Sequence, residues 1–247
     1  AGIAGWVGLT MGGTLVTLGP TAMRTRMDPK AVAFATSALP IWVAALLVAG
    51  AGALADSMRV ASVGLLVVVG AAALGVGVPL LRAALTKGPA EYGAWSLMLG
   101  TAWLLVTGAA ACVRAFEAVD ATGLRSSFLA WMPILGAAGL GQVFVGALTY
   151  MMPVVIGGGP SAVRVGVRIL EAGAPIREAA RNVAAVFALA VTSLGGTSAE
   201  RLTIAAWVVL LSTYVIDIVI MARCGVAQGR AKRAAASSPT TQGGRRG

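Results

Sequence analysis

The sequence predicts an all-α fold, a polytopic bundle of transmembrane helices, from three observations. Of 247 residues, 58% are apolar and only 11% charged, with a mean hydropathy of +0.87, far oilier than a soluble domain, which is about half apolar and a quarter charged. Several apolar stretches reach the roughly 20 helical residues that cross ~30 Å of hydrocarbon. None alternates apolar with polar residues as a barrel strand must, and lipid cannot solvate an unpaired backbone, so the spans are helices.

Seven spans are expected, at about 2–20, 31–54, 60–81, 92–113, 128–156, 180–197 and 202–222. The first, beginning AGIAGWVGLTMGG, carries Gly8 and Gly12 as a GxxxG pair suited to close helix packing. The second follows Lys30, and the third runs from Val60 to Leu81 and stops at Arg82. Lys87 and Glu91, four residues apart, precede the fourth. Trp95, Trp131 and Trp207 lie near span ends, where indoles anchor at the interface. The fifth, the longest, ends at Pro153 and Gly157–Gly159.

After that break, Pro160 suits the first turn of a helix over 160–172, because its missing N–H costs nothing there. Arg164, Arg168 and Glu171 share one arc and apolar residues fill the rest, the pattern of an interfacial helix whose arginines meet anionic lipid headgroups. The GGGP turn is no phosphate loop, since it lacks the lysine and the preceding strand. Gly173 closes this helix and Pro175 opens the next, which enters the membrane after Arg181, a third expected headgroup contact. The seventh span precedes residues 223–247, a small, polar and basic segment expected to be a disordered cytoplasmic tail beside the helical domain of 1–222.

The basic residues test this topology. With the first span starting outside, inner segments collect 15 Lys and Arg, leaving only Arg59, Arg114, Arg125 and Arg201 outside. That bias predicts a cytoplasmic C-terminus and explains the formal charge of +10 without nucleic acid as a partner. The chain starts without Met and already within an apolar run, which predicts a piece of a longer protein.

Residues able to carry chemistry are few. The chain has no histidine, so haem ligation by His, His-based copper sites and His proton relays are excluded within these residues. Met151 and Met152 are adjacent, about 100° apart on a helix, so one Cu(I) cannot easily use both. Cys112 and Cys224 fall near span ends on opposite sides and are expected as free thiols. One acid, Asp217, lies inside a span, where an ionised carboxylate costs on the order of 3 kcal/mol and requires a partner or a wet cavity. Thr213 and Tyr214 share its face. Two roles stay open for it: pairing with Arg223 or a loop arginine, and handling a proton or cation. Gln142 and Thr149 lie seven residues apart with Ala138, Val145 and Gly146, a stripe that reads as a packing seam or as substrate contact.

Two stretches, GWVGLTMGGTLVTLGPTAMRTRM (5–27) and GQVFVGALTYMMPVVIGGGPSAVR (141–164), with YGAWSLMLGTAWLL between them, resemble the polytopic membrane module of actinobacterial copper oxidase proteins. In that family such modules can be fused to cupredoxin domains of the copper nitrite reductase or multicopper oxidase type. The resemblance implies a bacterial plasma-membrane anchor or electron-transfer partner, with no cofactor or metal held by this chain and any copper or haem held by missing or partner segments. The alternative reading is a small-solute or ion permease whose path is lined by Asp217, Tyr214 and Gln142.

Overall fold

The computed structural model describes residues 2–192 and 197–237, and among these it is all-helical, without a strand. The helices are α1 (Gly8–Ala22), α2 (Ala31–Leu54), α3 (Met58–Ala72), α4 (Val78–Lys87), α5 (Tyr92–Ala115), α6 (Ala121–Ile134), α7 (Gln142–Ile156), α8 (Gly159–Leu170), α9 (Ala174–Thr192) and α10 (Thr197–Ser237). π-helical turns precede α1 (Gly2–Val7) and join α3 to α4 (Ala73–Gly77) and α6 to α7 (Leu135–Gly141). Among the described residues, five helices are long and apolar enough to cross a membrane: Ala31–Leu54, Met58–Lys87, Tyr92–Ala115, Ala121–Ile156 and Ala199–Ser237. The expected spans at 2–20 and 180–197 are outside this group. The first falls on α1 and its π turn; the second falls on α9, whose first half is charged, and runs into 193–196, outside the described residues.

Small residues set the spacing of the helices. In the α2–α3 hairpin, a Cβ on Gly64 would lie 2.6 Å from the Ala49 nitrogen, and one on Gly52 would lie 2.6 Å from that of Ala61. Between α5 and α7, a Cβ on Gly146 would lie 2.8 Å from both Gly93 O and Leu97 N, and one on Gly100 would lie 2.7 Å from Val143 N. Backbones this close gain dispersion contact that lipid cannot compete for, the usual basis of helix association in membranes. Leu15, Trp42, Val68, Leu97 and Val143 pack around these seams. A second cluster joins Ile134 and Ala138 to Ala184, Ala188 and Leu210.

One end of the bundle is tied by polar contacts. Arg24 pairs with Glu91 at 2.5 Å, and Arg82 pairs with Asp28 at 3.1 Å. Lys87 Nζ donates to Arg24 O at 3.0 Å, so Lys87 and Glu91 both turn toward Arg24. The Lys30 backbone N–H, and next the Arg82 guanidinium, hold the Asp28 carboxyl below its ordinary value.

The GGGP turn is a tight reversal in which Gly157, Gly158 and Gly159 all have positive φ, at 66°, 99° and 81°. A side chain at any of the three would be strained. The turn brings α8 back against the far end of α10. Here the expectation for 223–247 is corrected: residues 224–237 continue α10 as helix, and only 238–247 lie outside the described residues. Apolar burial is not what holds this extension. Gln228 Nε2 donates to Gly157 O at 3.0 Å and adds a second donor at 2.6 Å to Pro153 O, which also accepts the Gly157 N–H, while Lys232 Nζ donates to Ile156 O at 3.0 Å, so the last carbonyls of α7 gain partners that the helix itself does not supply. Cys224 and Gln228 are buried against Gly166, where any Cβ would collide with the Gln228 side chain. At 41 residues, α10 is about 60 Å long, twice the hydrocarbon thickness.

Replacing Gly146 by Ala must push α5 and α7 apart, because backbone stands on both sides of the added methyl. A loss of about 1–3 kcal/mol is expected, the usual cost of overpacking, read as a lower unfolding temperature of the protein in detergent. A neutral result would show that the seam is looser than described.

Candidate functional site

The buried polar residues of four helices meet in one network centred on Asp217. Helical spacing explains how each helix contributes. On α9, Arg177, Glu178, Arg181 and Asn182 recur at intervals of one, four and five residues and form a single face. On α5, Tyr92, Ser96 and Trp103 recur at four and seven. α10 contributes Thr213, Tyr214 and Asp217, and α7 contributes Gln142.

Both carboxylate oxygens of Asp217 are engaged. Arg177 Nη1 bonds Oδ1 and Arg181 Nη2 bonds Oδ2. The Tyr92 hydroxyl lies 2.8 Å from Oδ1 and 2.7 Å from Oδ2 and donates its proton between them. Arg181 Nε donates to Thr213 Oγ1 at 2.9 Å, and its Nη2 also reaches the Tyr92 oxygen at 2.9 Å. Arg177 Nη2 donates to Leu170 O, the last carbonyl of α8, where the helix dipole favours a cation. The guanidinium carbon of Arg177 stands 3.9 Å from the centre of the Tyr92 ring, and that of Arg181 4.2 Å from the centre of the Tyr214 ring. Cation–π attraction is strongest in such desolvated settings.

A second acidic side chain lies beside this cluster. Glu178 accepts from Ser96 Oγ on one oxygen, and on the other from Gln142 Nε2 at 2.7 Å and Asn182 Nδ2 at 3.3 Å. Trp103 Nε1 donates to Asn182 Oδ1 at 2.7 Å, which extends the chain into the centre of α5. Both guanidinium groups thus pair with Asp217, and Arg181 and Asp217 are 0% and 1% exposed. Tyr214 turns its hydroxyl the other way, onto Ala137 O in the π turn before α7. Three buried polar atoms in the network have no partner: Arg177 Nε, Arg181 Nη1 and Gln142 Oε1.

The expected site residues therefore divide. Asp217 and Thr213 bond the arginines directly, Tyr214 packs on Arg181, and Gln142 joins through Glu178. Thr149 does not join them; its hydroxyl returns to Val145 O and Gly146 O of its own helix, at 2.9 and 3.0 Å. Arg164 and Arg168 are exposed on α8. Arg181 is corrected: expected at the headgroups, it is fully buried, because Asp217 inside the bundle needs a cation and Arg181 points across from α9 to supply one. Arg223, weighed as the partner of Asp217, is exposed instead. Tyr92, Ser96, Arg177, Glu178 and Asn182 went unrecognised in the sequence. The signal that could have found them is the polar face of APIREAARN on an otherwise Ala- and Val-rich helix.

Glu171 sits at the mouth of this network, in the α8–α9 connection, and accepts the Tyr92 backbone N–H at 2.9 Å. Burial pushes its carboxyl above the ordinary value, outweighing that hydrogen bond. Among the described residues no group of three or more Cys, Asp or Glu is placed to hold a metal.

Fold and site together define an all-helical protein whose long apolar helices are compatible with a multi-pass membrane protein and whose interior carries a buried ion network. No protein-family description, curated protein or solved structure matches the chain.

Asp217→Asn leaves two buried guanidinium groups facing one neutral amide. Breaking a buried ion pair from one side costs about 3–5 kcal/mol, so a large fall in unfolding temperature is expected. Adding Arg177→Gln to that variant should cost less than the sum of the single changes, because the partners form one unit. Strict additivity would show that the pair is not coupled.

Glu171 gives a pH dependence of known sign. Its folded-state value lies above its unfolded one, so the folded state binds the extra proton. Its contribution is fully present below the ordinary carboxylate value and is lost as pH rises through the raised one. Glu171→Gln should remove the part of the decline in unfolding temperature that sets in as pH rises past the ordinary carboxylate value, while keeping an acceptor for Tyr92; an unchanged pH profile would refute the assignment.

Proposed function

We propose that the chain is a multi-pass module of a bacterial plasma membrane, with seven spans, an outer N-terminus and a cytoplasmic C-terminus, serving as anchor or electron-transfer partner of a copper-dependent redox protein and not catalytic by itself. The observation that carries this reading is that both carboxylate oxygens of Asp217 are engaged by side chains inside the bundle. Two arginines and a tyrosine hold both oxygens of Asp217, which leaves no free oxygen for a passing cation. A permease would need such a group to face a water-filled path. The resemblance of the stretches at 5–27 and 141–164 to copper oxidase membrane modules supports the redox association.

In this placement the end that holds Arg24, Arg82, Lys87 and Glu171 faces the cytoplasm, with α8 near the headgroups. Arg164 and Arg168 then meet anionic lipid.

Deleting the chain from its host tests the reading. Copper-dependent oxidase or nitrite reductase activity should leave the membrane fraction, and the chain carrying Asp217→Asn, where it still folds, should restore attachment. Membrane-bound copper activity that is indifferent to the deletion would refute it. Uptake of a small solute or ion by vesicles containing the pure chain, abolished by Asp217→Asn, would establish the permease instead.

A further inference from the structure

A cavity of about 530 Å³ lies between α1, α3, α5 and α6, walled by Gly12, Val68, Ala72, Leu104, Cys112 and Met132 among others. It is separate from the ion network: none of the network's side chains lines it, and α5 contributes Thr101, Leu104, Leu105, Gly108 and Cys112 to its wall. Protein interiors are close-packed, with few voids larger than a water molecule, and elsewhere in this bundle helix backbones touch. The cavity exists because α6 stands off: of its described residues, none before Ile134 is buried. Its volume falls in the roughly 300–1,000 Å³ range of small-molecule sites.

The lining dictates the chemistry of the occupant. No charged side chain reaches the cavity, and the Thr101 hydroxyl already donates to Leu97 O at 2.7 Å. Water needs two to four polar partners to remain in a cavity and finds too few here, while an ion or sugar would lose its hydration without return. We propose that this cavity is a binding site for the hydrocarbon tail of a membrane phospholipid, which enters beside α6. At this depth acyl chain is the surrounding solvent and is as apolar as the leucines of the wall. The tail restores the dispersion contacts that α6 does not make and stabilises a helix that the protein alone leaves loosely packed. The proposal rests on the membrane placement given above and is independent of any redox role.

The full chain, reconstituted in phosphatidylcholine vesicles whose acyl chains carry a photoactivatable diazirine, provides the test. After irradiation and digestion, adducts are expected on Cys112 and Met132 in the cavity, as well as on the outward-facing Val106 and Val113. Ala72→Phe, which fills the cavity from α3, should abolish the adducts on Cys112 and Met132 and leave those on Val106 and Val113. Gly108→Leu, which fills it from α5, should do the same and guards against misfolding of the first variant. Labelling of Val106 and Val113 with none at the cavity, or cavity labelling that both fillings leave unchanged, would overturn the acyl-tail site alone. No labelling at any of the four residues would overturn the membrane placement, and the tail site with it.

Discussion

Charge pairing inside a low-dielectric bundle is the constraint on which the rest of this structure depends. An unpaired charge buried there is costly, for Asp217 as for Arg177 and Arg181. Bringing the three together fixes where α9 and α10 stand relative to each other, and Ser96, Tyr92 and Gln142 then fix α5 and α7 against them. Apolar contact between helices is a weak discriminator in lipid, since a leucine gains little by exchanging acyl chain for another leucine. Directional polar bonds at one level of the bundle supply the register that such contact lacks.

The network also organises irregular backbone. Tyr214 spans from the arginine layer to the Ala137 carbonyl in the π turn that follows Pro133. Proline removes a donor and clashes with the preceding turn, and π turns often follow where a helix absorbs an extra residue. The hydroxyl gives a carbonyl of that turn a side-chain donor, so the π turn and the ion layer are tied to each other.

Around this layer the protein divides into unlike regions. Glycine and alanine seams draw α2, α3, α5 and α7 into backbone contact. Toward α6 the packing opens into an apolar cavity with no polar anchor. At the opposite extreme, α8 and the extension of α10 dock through a glycine, a glutamine and a lysine, and the donors satisfy the ragged end of α7. Polar capping at that end does the work that apolar burial does elsewhere.

By itself the sequence determined the class of element. Its oiliness, the length of its apolar runs and the spacing of its glycines and prolines led to helices, to the break at Pro153–Gly159 and to a helix beginning at Pro160, because these follow from local chemistry and from the solvation of backbone. It also marked Asp217 as a residue in need of a partner, with Thr213, Tyr214 and Gln142 as polar neighbours. Only the tertiary structure decided which cation answers that need, because Arg177 and Arg181 are 40 and 36 residues away and Arg181 reads locally as a headgroup contact. It likewise decided the fate of residues 224–237, whose composition promises no core. Their helix is held by hydrogen bonds to carbonyls some 70 residues earlier in the chain, and composition and periodicity do not encode a donor's distant acceptor.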